Sequence, residues 1–131
     1  MGFSAGGEVA SFPSYTPGDG DISAADPVGR LSAAPSFQIM IYAGPLGIPE
    51  QIPTNAPPSF WLAANGDPQP ARTLSEILPK YRAARVPIEL HLYSRGGHAL
   101  NMGNRSKLVT IQGWTGRLTD WLTDNVVSPT Q

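Results

Sequence analysis

The pentapeptide Gly2-Phe3-Ser4-Ala5-Gly6 constrains this chain more than any other feature. A Gly-x-Ser-x-Gly run becomes a structural element only where a strand enters the serine and a helix leaves it. The backbone then turns sharply and lifts the hydroxyl out of the sheet. Only Met1 precedes the motif, so the sequence predicts that the incoming strand has no residues to be made from. The chain is therefore expected to begin in the middle of a sheet.

Past the pentapeptide, the small residues from Gly6 to Ser11 suit a short helix, with Pro13 as its expected stop. From Ser14 to Ser36 apolar periodicity is lost through Pro17-Gly18-Asp19-Gly20-Asp21. Asp26-Pro27 there has the form of an N-cap followed by proline at the first helical position, so a long loop with one helical turn is expected. Three apolar runs follow: Phe37 to Ala43, Phe60 to Ala64 and Ile88 to Tyr93. Nearly continuous apolar runs of this length are the mark of strands buried on both faces in a parallel sheet.

The segment between the first two runs holds Pro45, Pro49, Pro53, Pro57 and Pro58, too many for a helix or a central strand, and should cross the surface. Arg72 to Arg85 carries Leu74, Ile77, Leu78, Tyr81 and Ala84 at helical spacing, with a kink expected at Pro79. Leu108, Ile111, Trp114, Leu118, Trp121 and Leu122 repeat every three or four residues, which predicts a helical stretch interrupted at Gly113 and Gly116. Strand and helix in alternation give an α/β layered fold with parallel strands.

With 131 residues, 40% of them hydrophobic, the chain is one domain or a piece of one. Its formal net charge of -1, from 9 basic and 10 acidic residues scattered singly, offers no face to nucleic acid or to an anionic membrane. No apolar run is long enough to span a bilayer. The absence of cysteine removes disulfides and thiolate metal sites and leaves the compartment open.

A serine nucleophile needs a base to take its proton and an acid to orient that base. Of the two histidines, His91 lies inside the third apolar run and reads as a packed or hydrogen-bonded strand residue. His98 follows that run in Arg95-Gly96-Gly97-His98-Ala99, a loop at the end of a strand, where open α/β sheets gather their binding groups. Asp67 is the carboxylate that follows a strand closely, in Asn65-Gly66-Asp67-Pro68, although an aspartate there could equally cap a helix. The order Ser4, Asp67, His98, each at a strand end, is the one found in α/β-hydrolases.

Other conspicuous residues have plainer readings. Trp61, Trp114 and Trp121 read as core rather than as a sugar-stacking groove. Asp19, Asp21 and Asp26 lack the spacing and the glutamate of a calcium loop and read as solvated turns. Arg95 and Asn101 flank the His98 loop as exposed polar residues, and no metal or cofactor is expected.

Three segments carry a resemblance: Gly2 to Gly7, Ala56 to Pro68 and Val86 to Met102. Together they are similar to the C-terminal half of α/β-hydrolase esterases related to acetylxylan esterases and dienelactone hydrolases. The resemblance covers nearly the whole chain and implies a partial α/β-hydrolase fold, with residues 1–131 as the C-terminal portion of one domain and the N-terminal half of the sheet missing. It further implies Ser4 as nucleophile, Asp67 as orienting acid, His98 as general base and the Ala5 backbone amide as one oxyanion donor. The family draws its second donor from a His-Gly-Gly loop in the part not represented here. Glu8 departs from the pattern, since relatives carry histidine behind the double glycine.

The activity implied is serine carboxylic-ester hydrolysis through an acyl-enzyme, on a small-molecule or carbohydrate ester such as acetylated plant polysaccharide. The missing half of the fold would be the chain's partner. Lacking it, the strand at 37–43 is expected to expose a long apolar edge, and the chain alone is expected to be inactive. Two alternatives stay open: a prolyl-oligopeptidase-type serine peptidase, and a non-catalytic module that binds through the sheet edge.

Overall fold

A computed structural model describes residues 1–127. Its frame is a four-stranded, wholly parallel sheet in the order β1-β2-β3-β4. The strands are β1 (Gly2–Phe3), β2 (Gln38–Ile41), β3 (Ser59–Ala64) and β4 (Ile88–Tyr93). Helices α1 (Ala5–Tyr15) and α2 (Pro68–Ala84) follow β1 and β3. Two short helices, α3 (Val109–Gln112) and α4 (Trp114–Leu122), follow β4. Gly113 separates α3 from α4, as the spacing predicts, whereas Gly116 sits inside α4 and breaks nothing.

Alternation along the strands sorts the core into two layers, because successive side chains point to opposite faces. Met40, Trp61 and Ala63 face Tyr15 of α1 and Leu74, Ile77 and Tyr81 of α2. Ile39, Ile41, Phe60 and Leu62 face Ile111, Trp114, Leu118 and Trp121. The three tryptophans are thus core residues: Trp61 and Trp114 are fully buried and Trp121 nearly so. Strand β4 is only half-buried, in contrast to the double burial expected of it, because it forms one edge of the sheet.

Three further expectations are corrected. Gly2 and Phe3 do make a strand, pairing with Met40 and Ile41, and the Ser4 N–H extends the ladder to the Ile41 carbonyl at 2.9 Å. Two residues therefore suffice to orient the turn. The side chains of β2 are not an exposed apolar edge, since all four of its residues are buried beneath the helices on both faces. Exposed apolar side chains lie elsewhere, Met1, Val9 and Phe12 among them.

Helix α1 also runs through Pro13 to Tyr15, and α2 starts four residues before Arg72 and continues through Pro79. Both prolines are exposed, and the carbonyls they leave without a helical donor belong to Val9 and Ser75, which are exposed residues as well. Between α1 and β2 the long loop holds a single 3-10 turn at Val28–Arg30, with Pro27 at its N-cap and the Asp26 carboxylate accepting from the Val28 N–H.

Candidate active site

Parallel pairing brings Phe3 beside Ile41, Ile41 beside Leu62, and Ala64 beside Tyr93, so the carboxyl ends of the strands share one rim. Open α/β sheets place their functional groups at this rim. Ser4 is the first residue beyond β1. Its backbone, at φ 50° and ψ -126°, is a conformation that non-glycine residues adopt only at a cost of about 1–3 kcal/mol, and it turns the chain directly into α1. Gly2 makes the tight turn feasible: a Cβ on it would stand 2.2 Å from the Gly6 carbonyl oxygen.

The three residues singled out in the sequence meet. His98 Nε2 lies 2.8 Å from Ser4 Oγ, and His98 Nδ1 lies 2.5 Å from Asp67 Oδ2. With the ring proton on Nδ1 donated to the carboxylate, Nε2 is left to accept the serine O–H. Asp67 occupies the N-cap of α2, yet its carboxylate makes no capping hydrogen bond. Pro68 at the first helical position has no N–H to be satisfied, and the carboxylate is committed to the imidazole. The Asp67 side chain is 12% exposed and that of His98 48%, a carboxylate sheltered behind an imidazole that faces solvent.

Several contacts hold the loop that carries His98. A Cβ on Gly66 would stand 2.2 Å from the Gly96 carbonyl oxygen, so the loops carrying Asp67 and His98 touch backbone to backbone only because position 66 is glycine. Leu100 is buried in the core two residues after His98, and the Trp114 indole N–H donates to the Asn101 carbonyl at 2.9 Å. Asn101 thus serves the loop through its backbone. Ala5, the first residue of α1, has a backbone N–H that no helix carbonyl can reach.

Outside this cluster, His91 is a strand residue as read: Nε2 lies 2.7 Å from Glu89 Oε1, and the ring stacks at 5.0 Å from Phe60. Glu8 accepts from the Leu46 N–H at 3.3 Å and ties α1 to the proline-rich loop. Asp21 accepts from Ser23 in a local turn. Among the described residues no three His, Asp or Glu side chains converge as a metal site, and no helix is long and apolar enough to cross a membrane.

Sequence reasoning missed Tyr42. Its ring packs edgewise on His98 with centroids 4.8 Å apart. The signal was its place, immediately past the end of β2 on the same rim as Ser4 and Asp67.

Several solved structures share this arrangement of elements, esterases and other hydrolases among them. An acetyl ester-xyloside bifunctional hydrolase from Caldicellulosiruptor lactoaceticus superposes with a TM-score of 0.82 at 23% identity, over 94% of this chain and 54% of that one. A thermophilic esterase from Thermogutta terrifontis, solved with propionate bound, gives 0.72 at 17% identity over 99% and 57%. A carboxylesterase from Lactobacillus plantarum gives 0.70 at 17% over 95% and 57%. The chain has a partial α/β-hydrolase fold. It spans about half the length of the solved structures it matches. No protein-family model matches the sequence, and no curated protein matches it.

Proposed function

We propose that this chain is the C-terminal, triad-bearing portion of a serine carboxylic-ester hydrolase that works through an acyl-enzyme. The continuous hydrogen-bonded chain Ser4–His98–Asp67 carries the reading. Ser4 Oγ attacks the ester carbonyl as His98 Nε2 takes its proton. The tetrahedral intermediate then collapses, the C–O bond to the alcohol breaks, and His98 returns the proton to the departing oxygen. Water, deprotonated by the same imidazole, clears the acyl group from Ser4. Asp67 holds the tautomer and balances the imidazolium, and the Ala5 N–H donates to the oxyanion.

The esterase names of the neighbouring structures support an ester as substrate. The acetyl ester-xyloside hydrolase among them favours an acetylated carbohydrate. A second oxyanion donor and the strands beyond β1 belong to the rest of the hydrolase fold in this reading. One missing donor raises the barrier by about 2.7–4 kcal/mol, so residues 1–131 alone turn over esters hundreds of times more slowly than the completed enzyme. The exposed Met1, directly before β1 at the open edge of the sheet, supports a surface that the remainder of the fold covers.

A fluorophosphonate probe tests the assignment without requiring full turnover, because phosphonylation needs only the activated hydroxyl. Mass mapping is expected to place the adduct on Ser4, with no adduct in Ser4→Ala. In Asp67→Asn the labelling rate should fall by about 10⁴, from the wrong tautomer in intact geometry. An adduct elsewhere, or undiminished labelling of Asp67→Asn, overturns the reading.

A further inference from the structure

We infer that Tyr42 is a positioning residue for the base: its ring is the wall against which the His98 imidazole is held in line between Ser4 and Asp67. The inference rests on the triad assignment above. His98 sits on a loop rich in glycine and left-handed backbone, with φ of 121° at Gly96, 59° at Ala99, 52° at Asn101 and 90° at Gly103. Its side chain is about half exposed. Two hydrogen bonds fix the ring nitrogens but leave the ring free to tilt about the line joining them. The contact with Tyr42, at 4.8 Å between centroids and an interplanar angle of 67°, removes that freedom.

Tyr42 is itself rigid. It is 6% exposed, its N–H donates to the Leu62 carbonyl at 2.7 Å, and its ring packs edgewise at 5.8 Å on Phe3, the residue before the nucleophile. Phe3 in turn packs on Trp114, whose indole holds the His98 loop at Asn101. A closed ring of contacts thus references the base to the residue beside the nucleophile. The Tyr42 backbone sits at φ 40°, a left-handed conformation unfavourable for an aromatic residue. Glycine would meet that backbone need better, so the side chain is what the position uses.

The test is NMR of the protein beside fluorophosphonate labelling. With only His91 and His98 present, imidazole signals are assigned by His91→Gln. The parent should show a low-field Nδ1–H proton from His98 that disappears in Asp67→Asn. Its absence from the parent would overturn the triad reading and this inference with it.

Given that proton, Tyr42→Leu and Tyr42→Gly should broaden it by exchange and slow labelling of Ser4 about tenfold to a hundredfold, the scale of a 1 Å misplacement. Tyr42→Phe should restore both. The second variant relieves the backbone, so loss in both variants cannot be assigned to the φ at this position, and unchanged His91 signals report an intact sheet. A sharp His98 proton with parental labelling in Tyr42→Leu and Tyr42→Gly would overturn the positioning role while leaving the triad standing.

Discussion

Replacing Gly66 with alanine should disable the site from a position that touches none of its reacting atoms. The added Cβ would lie 2.2 Å from the Gly96 carbonyl oxygen, where ordinary contact begins at 3.4 Å. Both partners are backbone, so no side chain can swing aside, and the acid and base loops must separate by roughly 1 Å to reach normal contact. The Asp67–His98 hydrogen bond, 2.5 Å long, spans the same two loops and should lengthen beyond bonding distance. Overpacking of this kind destabilises by about 1–3 kcal/mol, while a displacement of that size at a reacting group lowers rate about a hundredfold. Thermal unfolding and the rate of Ser4 phosphonylation separate the two effects. Gly66→Ala should remain folded at 25 °C and label about a hundredfold more slowly. Labelling at the parental rate would show that the loops yield without disturbing the triad, and would refute the argument.

Two predictions concern the opposite layer of the core. Tyr15 and Tyr81 hydrogen-bond each other at 3.0 Å and both accept from the Gln38 amide, and burial raises both phenols above their ordinary range. Because the folded values lie above the unfolded one, their stabilisation is complete below about pH 10 and is lost as pH rises beyond it, at about 1.4 kcal/mol per pH unit for each group. The double variant Tyr15→Phe, Tyr81→Phe should be less stable at pH 7, having orphaned the Gln38 amide, yet show a shallower alkaline loss in urea titrations between pH 9 and 11; an unchanged slope would contradict the assignment. Trp61→Ala empties the centre of the layer between β3 and the helices and should cost about 3–5 kcal/mol by denaturant unfolding, with a value under 1 kcal/mol showing that the layer refills.

Much of the frame was legible because β2, β3 and β4 each announce themselves as an apolar run and their ends as turn sequences. Ser4, Asp67 and His98 could be picked out by asking which polar residues follow strands, since parallel pairing carries such residues to one rim. Helix lengths were harder to read. Pro13 looks like a stop and Pro79 like a kink, and how a helix accommodates them depends on which side of it faces water, a tertiary fact. The strand before Ser4 was missed because its two residues owe their extended form to pairing with Met40 and Ile41 rather than to any pattern of their own. Tyr42 was hidden inside an apolar run, and the Gly66–Gly96 contact joins positions thirty apart that only the fold makes neighbours.

The bond from Trp114 to Asn101 has a practical corollary for how such a molecule fails on heating. Its anchor is the first residue of α4, a nine-residue helix on the flank of the sheet, far shorter than α2 on the other side. The position of the His98 loop is thereby tied to the docking of one small peripheral element, and indole emission that reports the loosening of that element would also report the release of the loop.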